Sequence, residues 1–503
     1  MIANNPSAAD LAPNWLGRLA GLWPDRVAVI DPDEPAQHTF ADLHRSAGEI
    51  AGGLAERGVG QGDRVCAMMQ SGVPLLELLF ACGQIGAILV PMNWRLSDRE
   101  LGNLLSDADP ALVVSDARFE EAAQRVSEGA RRFEGIVGNA LPAPALVHMS
   151  DPWIILYTGG TTGTPKGAVL THGSVTWNAI NTTVSWGLLE SDIGPSFTPM
   201  FHTGGLNVFT LPLLMLGAKV ILPRAFDPGQ ALRILEKYRP TVLFLVPTMF
   251  QMVAELPEFA DADLSSLRWA ISGGAPCPAP VYELWRPKVP VFKQGYGLTE
   301  VGPNNFATPD ADAVAKQGTV GRLTYFAHAR IVDDHGSDLP DGEPGELLLA
   351  GPHMCAGYWR NPEATASAIR GGWFHTGDVA RRDADGYFYI VDRKKDMIIS
   401  GGENIYSPEV ERVLAEHPAV MEVAIFGIPD EKWGEAVKAA VALNPGMTAT
   451  EQELLDWCRE RLAHYKCPKS IDFLPALPRN PTGKILKRDL RQPYWEGHAS
   501  AVV

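Results

Sequence analysis

A loop rich in glycine and threonine constrains this chain more than any other stretch. Residues 157–167 contain four glycines, four threonines and one lysine, and they follow the apolar run from Trp153 to Leu156. Glycines let backbone N–H groups wrap around a phosphate, threonine hydroxyls add donors, and Lys166 supplies a positive charge. The loop is therefore built to bind an anion.

The residues after this loop distinguish it from a Walker loop. A Walker loop ends in Gly-Lys-Ser/Thr and opens a helix. Here Lys166 is followed by Gly167 and by the strand-like run Ala168-Val169-Leu170. We therefore predict a phosphate-binding loop between two strands, with a glycine-rich hairpin that binds no ligand as the alternative.

The first 150 residues alternate between helical and extended patterns. Extended runs are predicted at Val27 to Ile30, Val65 to Met68, Ala87 to Pro91 and Ala111 to Val114, and helices at Phe40 to Glu56 and Pro74 to Gln84. Ser97 and Glu100 have the spacing of a capping box that starts the next helix. This alternation predicts a parallel sheet flanked by helices.

The same alternation resumes after the glycine loop. Strands are predicted at Lys219 to Leu222, Thr241 to Val246, Leu267 to Ser272 and Val289 to Lys293. Two loops follow strands of this half, Ser-Gly-Gly-Ala-Pro at residues 272–276 and Gly-Tyr-Gly-Leu-Thr-Glu at residues 295–300. Doubly wound sheets bind ligands at the carboxyl ends of their strands, so both loops are predicted to lie at a ligand site.

The pattern changes towards the C-terminus. Short strands with turn signals after Val320 predict a small antiparallel sheet, and a compact α+β unit begins near Lys394. In this unit Thr450 and Glu453 are predicted to cap a helix that runs to His464. The predicted fold class is α/β, with a large N-terminal domain of doubly wound sheets plus a small antiparallel sheet (residues 1–393) and a small mobile α+β domain (residues 394–503).

Charge and hydropathy exclude several classes of partner. The formal net charge of −16 at pH 7 argues against nucleic acid or an anionic membrane as the main partner, because both require a basic surface. The longest apolar stretch, Leu75 to Met92, is interrupted by Glu77 and Gln84, so we expect no transmembrane segment. No signal peptide is visible, and we expect a cytoplasmic location.

The cysteines support a reducing compartment. They are Cys66, Cys82, Cys277, Cys355, Cys458 and Cys467. Their spacing fits neither a disulfide framework nor a metal site. We therefore expect structural thiols.

Seven motifs occur in an order that resembles the adenylate-forming superfamily, which includes acyl-CoA synthetases, coumarate-CoA ligases, luciferases and the adenylation domains of peptide synthetases. The resemblance spans nearly the whole chain. The motifs are residues 157–167, Pro-Met-Phe-His at 199–202, residues 295–300, Thr-Gly-Asp at 376–378, Asp-Arg-Lys-Lys-Asp at 392–396, Gly-Gly-Glu-Asn at 401–404 and Pro-Thr-Gly-Lys at 481–484. One residue departs from the family pattern, because Gly159 stands where a serine is common, which weakens one phosphate contact.

The resemblance implies a two-step reaction. A carboxylic acid and ATP form an acyl-adenylate and pyrophosphate, and a thiol then attacks the acyl-adenylate. The first step is needed because a free carboxylate offers a thiol only a poor leaving group. ATP, Mg²⁺ and coenzyme A (CoA) are the implied cofactors, a small carboxylic acid is the implied partner, and the family allows a homodimer.

The resemblance also assigns the residues that contact the phosphates and the metal. The β- and γ-phosphates would be bound by Thr158, Thr161, Thr162 and Lys166. Thr299 would contact the phosphates as well, and Glu300 would ligate Mg²⁺, which prefers oxygen donors.

The nucleoside has its own implied residues. The adenine would be held by Tyr296, Gly273, Gly274 and Ala275, with the tyrosine stacked on the base. Asp378 would accept hydrogen bonds from both ribose hydroxyls, and Arg393 would donate to the same sugar. A tyrosine packed in the core and ordinary turn chemistry are the alternatives for Tyr296 and Asp378.

Catalysis and the second step involve the C-terminal part of the chain. By resemblance, Lys484 would reach the charge that develops between the carboxylate and the α-phosphate, and His202 would border the acyl site. Lys395 would be the hinge about which the small domain rotates between the two steps. Gly402 and Trp433 would then reach the CoA site, although simple packing also explains a tryptophan.

These residues predict an acid-CoA ligase. A medium- or long-chain fatty acid is the first candidate substrate, and a hydroxycinnamate-like aromatic acid is the alternative. Phe244 to Met249 and the residues around 203–207 and 301–304 offer apolar or small side chains and no Arg or Lys. A dicarboxylate is therefore disfavoured, since an unpaired buried charge costs on the order of several kcal/mol.

Three other classes remain open at this point. They are a non-catalytic nucleotide or acyl-CoA binding protein, an adenylating module that serves a carrier protein, and a phosphotransferase that releases ADP. Glu300, Arg393 and Lys484 together argue against the first. Release of ADP in place of AMP would identify the phosphotransferase.

Overall fold

The computed structural model describes residues 10–34, 36–138, 145–158, 165–400, 403–479 and 485–496. The chain divides into two compact units, Met1–Ala329 with Leu349–His375, and Arg330–Leu348 with Thr376–Val503. The α/β class with a larger N-terminal part and a smaller C-terminal part is confirmed. The boundary expected between residues 393 and 394 falls inside the second unit and stays a prediction.

One sheet of the first unit begins at the N-terminus. Its strands are β1 (Val27–Asp31), β2 (Ala36–Thr39), β9 (Ile193–Pro195) and β10 (Lys219–Ile221). They lie in the order β2-β1-β10-β9, and all pairs except β1 with β2 are parallel. A bridge between Ser196 and Phe244 links this sheet to three parallel strands, β11 (Val242–Leu245), β12 (Trp269–Ser272) and β13 (Phe292–Gln294).

A second, six-stranded sheet carries the glycine loop. Its strands are β3 (Arg64–Met68), β4 (Ile88–Pro91), β5 (Leu112–Ser115), β6 (Arg131–Arg132), β7 (Pro152–Thr158) and β8 (Lys166–Thr171). They lie in the order β6-β5-β3-β4-β7-β8, parallel except for the antiparallel pair β7 with β8. The predicted parallel sheets are therefore confirmed in both halves of the unit.

Twelve α-helices of the described residues belong to this unit. They are α1 (Trp15–Leu22), α2 (Phe40–Glu56), α3 (Val73–Ile85), α4 (Asp98–Ala108), α5 (Glu120–Val126), α6 (His172–Trp186), α7 (Thr203–Leu206), α8 (Thr210–Leu216), α9 (Pro228–Tyr238), α10 (Pro247–Ala254), α11 (Ala279–Trp285) and α12 (Pro362–Ala368). Those from α2 to α11 lie between its strands, as parallel pairing requires, whereas α1 precedes β1 and α12 follows β13 in the chain. The predicted capping box of Ser97 and Glu100 starts α4. Across the described ranges, no helix is both long enough and apolar enough to span a bilayer.

The apolar residues of α2 and α3 form the largest core together with the sheet strands. Leu43, Ile50 and Leu54 of α2 and Leu76 and Leu79 of α3 are all buried in it. Burial of such side chains is the main force that holds the layers together. All six cysteines are free thiols within the described ranges, and each of them except Cys277 is buried, while their structural role stays a prediction.

Short strands complete the first unit. An antiparallel pair is formed by β14 (Phe306–Ala307) and β15 (Arg322–Leu323). Further along the chain, β18 (Ile369–Arg370) pairs antiparallel with the first residues of β19 (Trp373–Arg382).

The second unit contains most strands of two sheets. One contains the C-terminal part of β19 with β16 (His328–Val332), β17 (Gly345–Ala350) and β20 (Phe388–Arg393). The other contains β21 (Ile398–Ser400), β22 (Glu403–Ile405), β23 (Val420–Asp430), β24 (Gly434–Leu443) and β25 (Ser470–Phe473). The predicted antiparallel character is seen in β19 with β20 and in β23 with β24.

Three helices pack on the second of these sheets. They are α13 (Ser407–Ala415), α14 (Glu451–Arg459) and α15 (Lys487–Trp495). Thr450 and Glu453 cap α14 as predicted. The helix ends at Arg459 and not at His464, and a turn followed by a short 3₁₀ segment at His464–Lys466 takes the place of its predicted last residues.

Candidate functional site

The two strands that flank the glycine loop are in register at its mouth. Thr158 at the end of β7 lies opposite Lys166 at the start of β8. The Thr158 hydroxyl donates to the carbonyl oxygen of Lys166 at 3.3 Å. The strand-loop-strand prediction is therefore confirmed for the flanking strands, whereas Thr161 and Thr162 fall outside the described residues.

Gly167 admits a second segment of chain beside β8. A Cβ atom at Gly167 would lie 2.7 Å from Cγ2 of Ile155 and 3.3 Å from Cβ of Trp359. The Trp359 N–H donates to the carbonyl of Gly167 at 2.7 Å, and Ala168 bridges to Tyr358 in antiparallel fashion. This close approach brings Tyr358 next to the loop.

Hydroxyl groups converge on the carboxylate of Glu300. The Tyr358 hydroxyl donates to Oε1 of Glu300 at 2.9 Å, and the Thr158 hydroxyl lies 3.4 Å from the same oxygen. Nζ of Lys166 lies 5.3 Å from the centre of the Tyr358 ring, within reach of a cation–π contact. Burial, reinforced by the Glu300 charge, raises the pKa of Tyr358, so its hydroxyl remains a donor at neutral pH.

Sequence reasoning missed Tyr358. The residue lies outside the seven motifs and nearly sixty positions after Glu300 in the chain. Its role follows from the bridge to β8, which no local pattern indicates. The other members of the cluster, Thr158, Lys166 and Glu300, were all predicted site residues.

The oxygen atoms around Glu300 fit the metal that the family implies. Carboxylate and hydroxyl oxygens suit a hard cation such as Mg²⁺. Where the structure describes the chain, no three His, Cys, Asp or Glu side chains are grouped to hold a metal. Glu300 would therefore bind Mg²⁺ together with phosphate oxygens of a nucleotide and water, which is a usual arrangement for this ion.

The two predicted nucleotide loops follow the neighbouring strands β12 and β13, whose carboxyl ends are aligned in the sheet. Leu245, Ser272 and Gln294 are partners in register at the ends of β11, β12 and β13. The loops that begin at Gly273 and Gly295 therefore open on one edge of the sheet, where α/β proteins bind ligands.

Glycine is required in the first of these loops. Gly274 has φ of +81°, which favours glycine, and a Cβ atom at Gly273 would lie 3.1 Å from Cε2 of Phe244. Ala275 follows them as part of the same bend. The small residues expected beside adenine thus leave their backbone open to a ligand.

The second loop positions Tyr296, Thr299 and Glu300. A Cβ atom at Gly297 would collide with the carbonyl of Gly302, because the loop folds back so that the Leu298 N–H donates to that oxygen at 3.2 Å. Tyr296 is a half-buried residue, and its ring lies 5.9 Å from the Phe306 ring and is tilted 54° from it. Stacking of this tyrosine on adenine stays a prediction.

His202 lies next to two glycines, Gly204 and Gly205, and the first of these is close to Phe244 of β11. His202 immediately precedes α7, in which a Cβ atom at Gly204 would lie 3.4 Å from Cε1 of Phe244. A Cβ atom at Gly205 would lie 2.5 Å from the carbonyl oxygen of Thr198, so only glycine fits there. The Phe244 ring therefore lies between Gly204 and Gly273.

His202 is neutral at physiological pH. Burial, with a contribution from the nearby Arg95 charge, lowers its pKa to about 4. Its Nε2 atom and the Thr198 hydroxyl are buried, and neither has a hydrogen-bond partner among the residues that the structure describes. Unpaired buried polar atoms are uncommon in folded proteins, and a bound ligand or water is one explanation for them.

Asp378 and Arg393 face each other in the second unit. They are direct partners in the pair β19 with β20, and Nε of Arg393 lies 3.4 Å from Oδ1 of Asp378. Asp378 is only 4% exposed. A buried carboxylate with a guanidinium beside it has the donors and acceptors that a ribose needs, and the ribose role stays a prediction.

The remaining predicted residues belong to this unit as well. Trp433 is 43% exposed, so packing in a core does not explain it. Nζ of Lys432 lies 4.6 Å and Nζ of Lys469 lies 5.6 Å from the centre of its ring. Gly402 and Lys484 lie outside the described residues, and their roles stay predictions.

Comparisons with known proteins agree with this geometry. The family described as AMP-binding enzyme matches residues 18–359, and the AMP-binding enzyme C-terminal domain matches residues 409–484. The chain is 43% identical to a feruloyl-CoA synthase from Amycolatopsis sp over 94% of this chain and 99% of that protein. It is 38% identical to an indoleacetate–CoA ligase from Aromatoleum aromaticum over 95% of this chain and 97% of that protein.

A solved structure resembles the whole chain. It is ATP-bound MatB from Rhodopseudomonas palustris, with a TM-score of 0.89, 32% identity, and coverage of 97% of this chain and 99% of that one. The chain therefore belongs to the AMP-binding enzyme family, the adenylate-forming family whose motifs its sequence resembles.

Proposed function

We propose that the protein is an ATP-dependent aromatic acid–CoA ligase. In the first step a carboxylate oxygen of the acid attacks the α-phosphorus of ATP, the bond to the bridging oxygen breaks, and pyrophosphate leaves. In the second step the CoA thiolate attacks the acyl carbon, and AMP leaves as a thioester forms. The observation that carries this proposal is the cluster at Glu300, where Thr158, Lys166 and Tyr358 surround one carboxylate.

The chain's own side chains have distinct tasks in the first step. Lys166 and Thr158 hold the leaving phosphates, and Glu300 holds Mg²⁺, which neutralises phosphate charge when it is bound. Lys484 stabilises the charge that builds up between the carboxylate and the α-phosphate. Such catalysis depends on positioning and preorganised charge more than on proton transfer.

The aromatic substrate is supported by the relatives and by the site. The feruloyl-CoA synthase and the indoleacetate–CoA ligase are named for acids with a ring. Phe244, packed between Gly204 and Gly273, offers an aromatic wall for such a ring. The fatty acid expected first from the sequence is the second candidate, because the small apolar residues around Gly204 also admit an alkyl chain.

The second step requires the C-terminal segment to move. The turn at residues 394–397 joins β20, which pairs with β19, to β21, which pairs with β22 and β24. We place the hinge in this turn at Lys395, so that the segment after it brings Lys484 for adenylation, and Gly402 and Trp433 for CoA. A few backbone torsions in one turn are enough for such a rotation.

A product assay tests the proposal. The enzyme is incubated with ferulate, ATP and Mg²⁺, with and without CoA, and the products are identified by mass spectrometry. We expect feruloyl-adenylate and pyrophosphate without CoA, and feruloyl-CoA and AMP with it. Lys484→Ala should abolish adenylate formation but retain thioester formation from supplied feruloyl-adenylate. Release of ADP and phosphate would contradict the proposal.

A further inference from the structure

A cluster of charged and polar side chains around the buried residues Asp392 and Ser407 spans the turn at residues 394–397. Asp392 is the last but one residue of β20, before the turn, and it is 6% exposed. Oδ2 of Asp392 accepts a hydrogen bond from the Ser407 N–H at 2.7 Å and lies 3.0 Å from the Ser407 hydroxyl. Ser407 follows the turn and is the first residue of α13.

Lys487 joins the same cluster from the C-terminal helix. Its Nζ atom lies 2.5 Å from the Ser407 hydroxyl and 2.7 Å from Oε1 of Glu411. Glu411 in turn accepts the backbone N–H of Ile425 at 2.8 Å. Lys487 is the first residue of α15 and lies three positions after Lys484 in the sequence.

A further contact ties the same helix to the turn. The Arg491 guanidinium donates to the carbonyl oxygen of Lys395 at 3.3 Å. The helix that follows the predicted catalytic lysine is thus fastened to the turn at Lys395 and, through Ser407, to the strand before it.

We propose that Asp392, Ser407 and Lys487 form a latch that holds the segments before and after the Lys395 hinge in one of two arrangements. The inference rests on the proposed function, because it concerns the balance between the two half-reactions. Asp392 precedes the hinge, and it keeps the adjacent Arg393 N–H as a donor on that side, whereas Ser407 and Lys487 follow the hinge. Rotation about Lys395 therefore separates the Asp392 carboxylate from Ser407 and Lys487.

Because the Asp392 carboxylate is buried, its interactions with Ser407 and Lys487 are either fully made or fully broken. A buried carboxylate that loses its partners must find new ones or reach water, since an unpaired buried charge is strongly unfavourable. The cluster is therefore either closed or open. Asp392, Ser407 and Lys487 are positioning residues, which set how much of the protein occupies each arrangement.

The test compares the two half-reactions in variants of the full-length enzyme. One rate is pyrophosphate release from ferulate and ATP without CoA, and the other is feruloyl-CoA formation from supplied feruloyl-adenylate and CoA. Lys487→Met and Asp392→Asn should each change the ratio of the two rates by about tenfold, in the same direction, which is within the usual range of conformational coupling. Lys487→Arg keeps the charge and should restore the ratio to the wild-type value.

A matched control separates the latch from general damage to α13. Lys466 pairs with Glu409 of α13 at 2.7 Å, with side-chain exposures of 22% and 33% that resemble the 19% and 22% of Lys487 and Glu411. Both residues of the control pair follow the hinge. Lys466→Met should therefore leave the ratio unchanged.

Each outcome decides the question. If Lys487→Met fails to fold, Asp392→Asn, which keeps the shape of the side chain, carries the test alone. An unchanged ratio in a folded latch variant, shifts in opposite directions, or an equal shift in Lys466→Met would overturn the latch. A wild-type enzyme that forms neither product would instead overturn the proposed function.

Discussion

The Tyr358 hydroxyl donates a 2.9 Å hydrogen bond to Oε1 of Glu300. Tyr358 reaches this position because its segment lies beside β8, where Gly167 leaves room for the neighbouring Trp359. The tyrosine thereby links the glycine loop to the loop that ends in Glu300. It fixes the orientation of the carboxylate that we propose as the magnesium ligand.

Tyr358→Phe removes this hydrogen bond and little else. A hydrogen bond to a charged group contributes about 1.5–3 kcal/mol, so we expect kcat for adenylate formation to fall about 10- to 100-fold. The rate is measured as pyrophosphate release at saturating ATP and Mg²⁺. Tyr389→Phe is the control, because that hydroxyl also contacts a carboxylate, Asp383, at 3.3 Å in the second unit. Equal rates for Tyr358→Phe and wild type would remove Tyr358 from the site.

Asp378→Asn tests the ribose contact. The amide keeps one acceptor but loses the negative charge opposite Arg393, so we expect KM for ATP to rise about tenfold. Wild-type enzyme should lose a similar factor with 2′,3′-dideoxy-ATP, whereas the variant should barely distinguish the two nucleotides. Arg382 lies on the same strand as Asp378 and forms an exposed ion pair with Asp341. Arg382→Ala, which breaks that pair, serves as the control. A variant that still discriminates as strongly as wild type would show that Asp378 does not contact the sugar.

Buried histidines make stability depend on pH. Burial lowers the pKa of His172 and of His353 to about 4 in the folded protein. The unfolded chain takes up these protons near pH 6.5 and the folded one does not. Stability is therefore complete above pH 6.5 and falls as pH decreases towards 4, by about 1.4 kcal/mol per pH unit for each histidine.

His353→Gln should flatten this dependence. The melting temperature is measured between pH 5 and pH 8 for wild type, His353→Gln and the control His335→Gln, whose side chain is exposed. We expect the variant to lose less stability than wild type on acidification, and the control to behave as wild type. A steeper loss in His353→Gln would contradict the assignment.

Gly204→Ala should narrow the acyl site without unfolding the protein. The added methyl group would lie 3.4 Å from Cε1 of Phe244 and 3.7 Å from the Thr198 hydroxyl oxygen. These are ordinary van der Waals distances, so the methyl group fits the protein but would occupy space that the bound acid needs. Overpacking against the acid costs about 1–3 kcal/mol, so kcat/KM for ferulate should fall about tenfold, and less for the smaller benzoate. Gly102→Ala, which has no neighbour within 4 Å, is the control. An equal loss for both acids would place Gly204 outside the acyl site.

Local signals in the sequence predicted much of the fold. The helix from Phe40 to Glu56 is found with the predicted ends, and a capping box of Thr39 and Asp42 fixes its start. The local pattern predicts a strand only from Glu422 to Ile428, whereas β23 runs from Val420 to Asp430 and is longer at both ends. Its pairing with β24 continues to Asp430 opposite Gly434, and this long-range pairing is not encoded in the local pattern.

In the candidate site too, some residues could be predicted from local sequence and others depend on long-range contacts. Thr158, Glu300 and Asp378 belong to motifs that are contiguous in sequence, and the resemblance was enough to select them. Tyr358 and Lys487 act through contacts between segments that are far apart in the chain. Such partners follow from the way strands and helices pair, so they could be found only in the structure.

The substrate specificity of the first half-reaction distinguishes an aromatic acid–CoA ligase from a fatty acid–CoA ligase. We would measure kcat/KM for pyrophosphate release with ferulate, cinnamate, benzoate and dodecanoate in parallel. We predict a value for ferulate at least about tenfold above that for dodecanoate, which corresponds to about 1.4 kcal/mol of preferential transition-state binding. A higher value for dodecanoate than for every aromatic acid would contradict the proposed function and favour a fatty acid ligase.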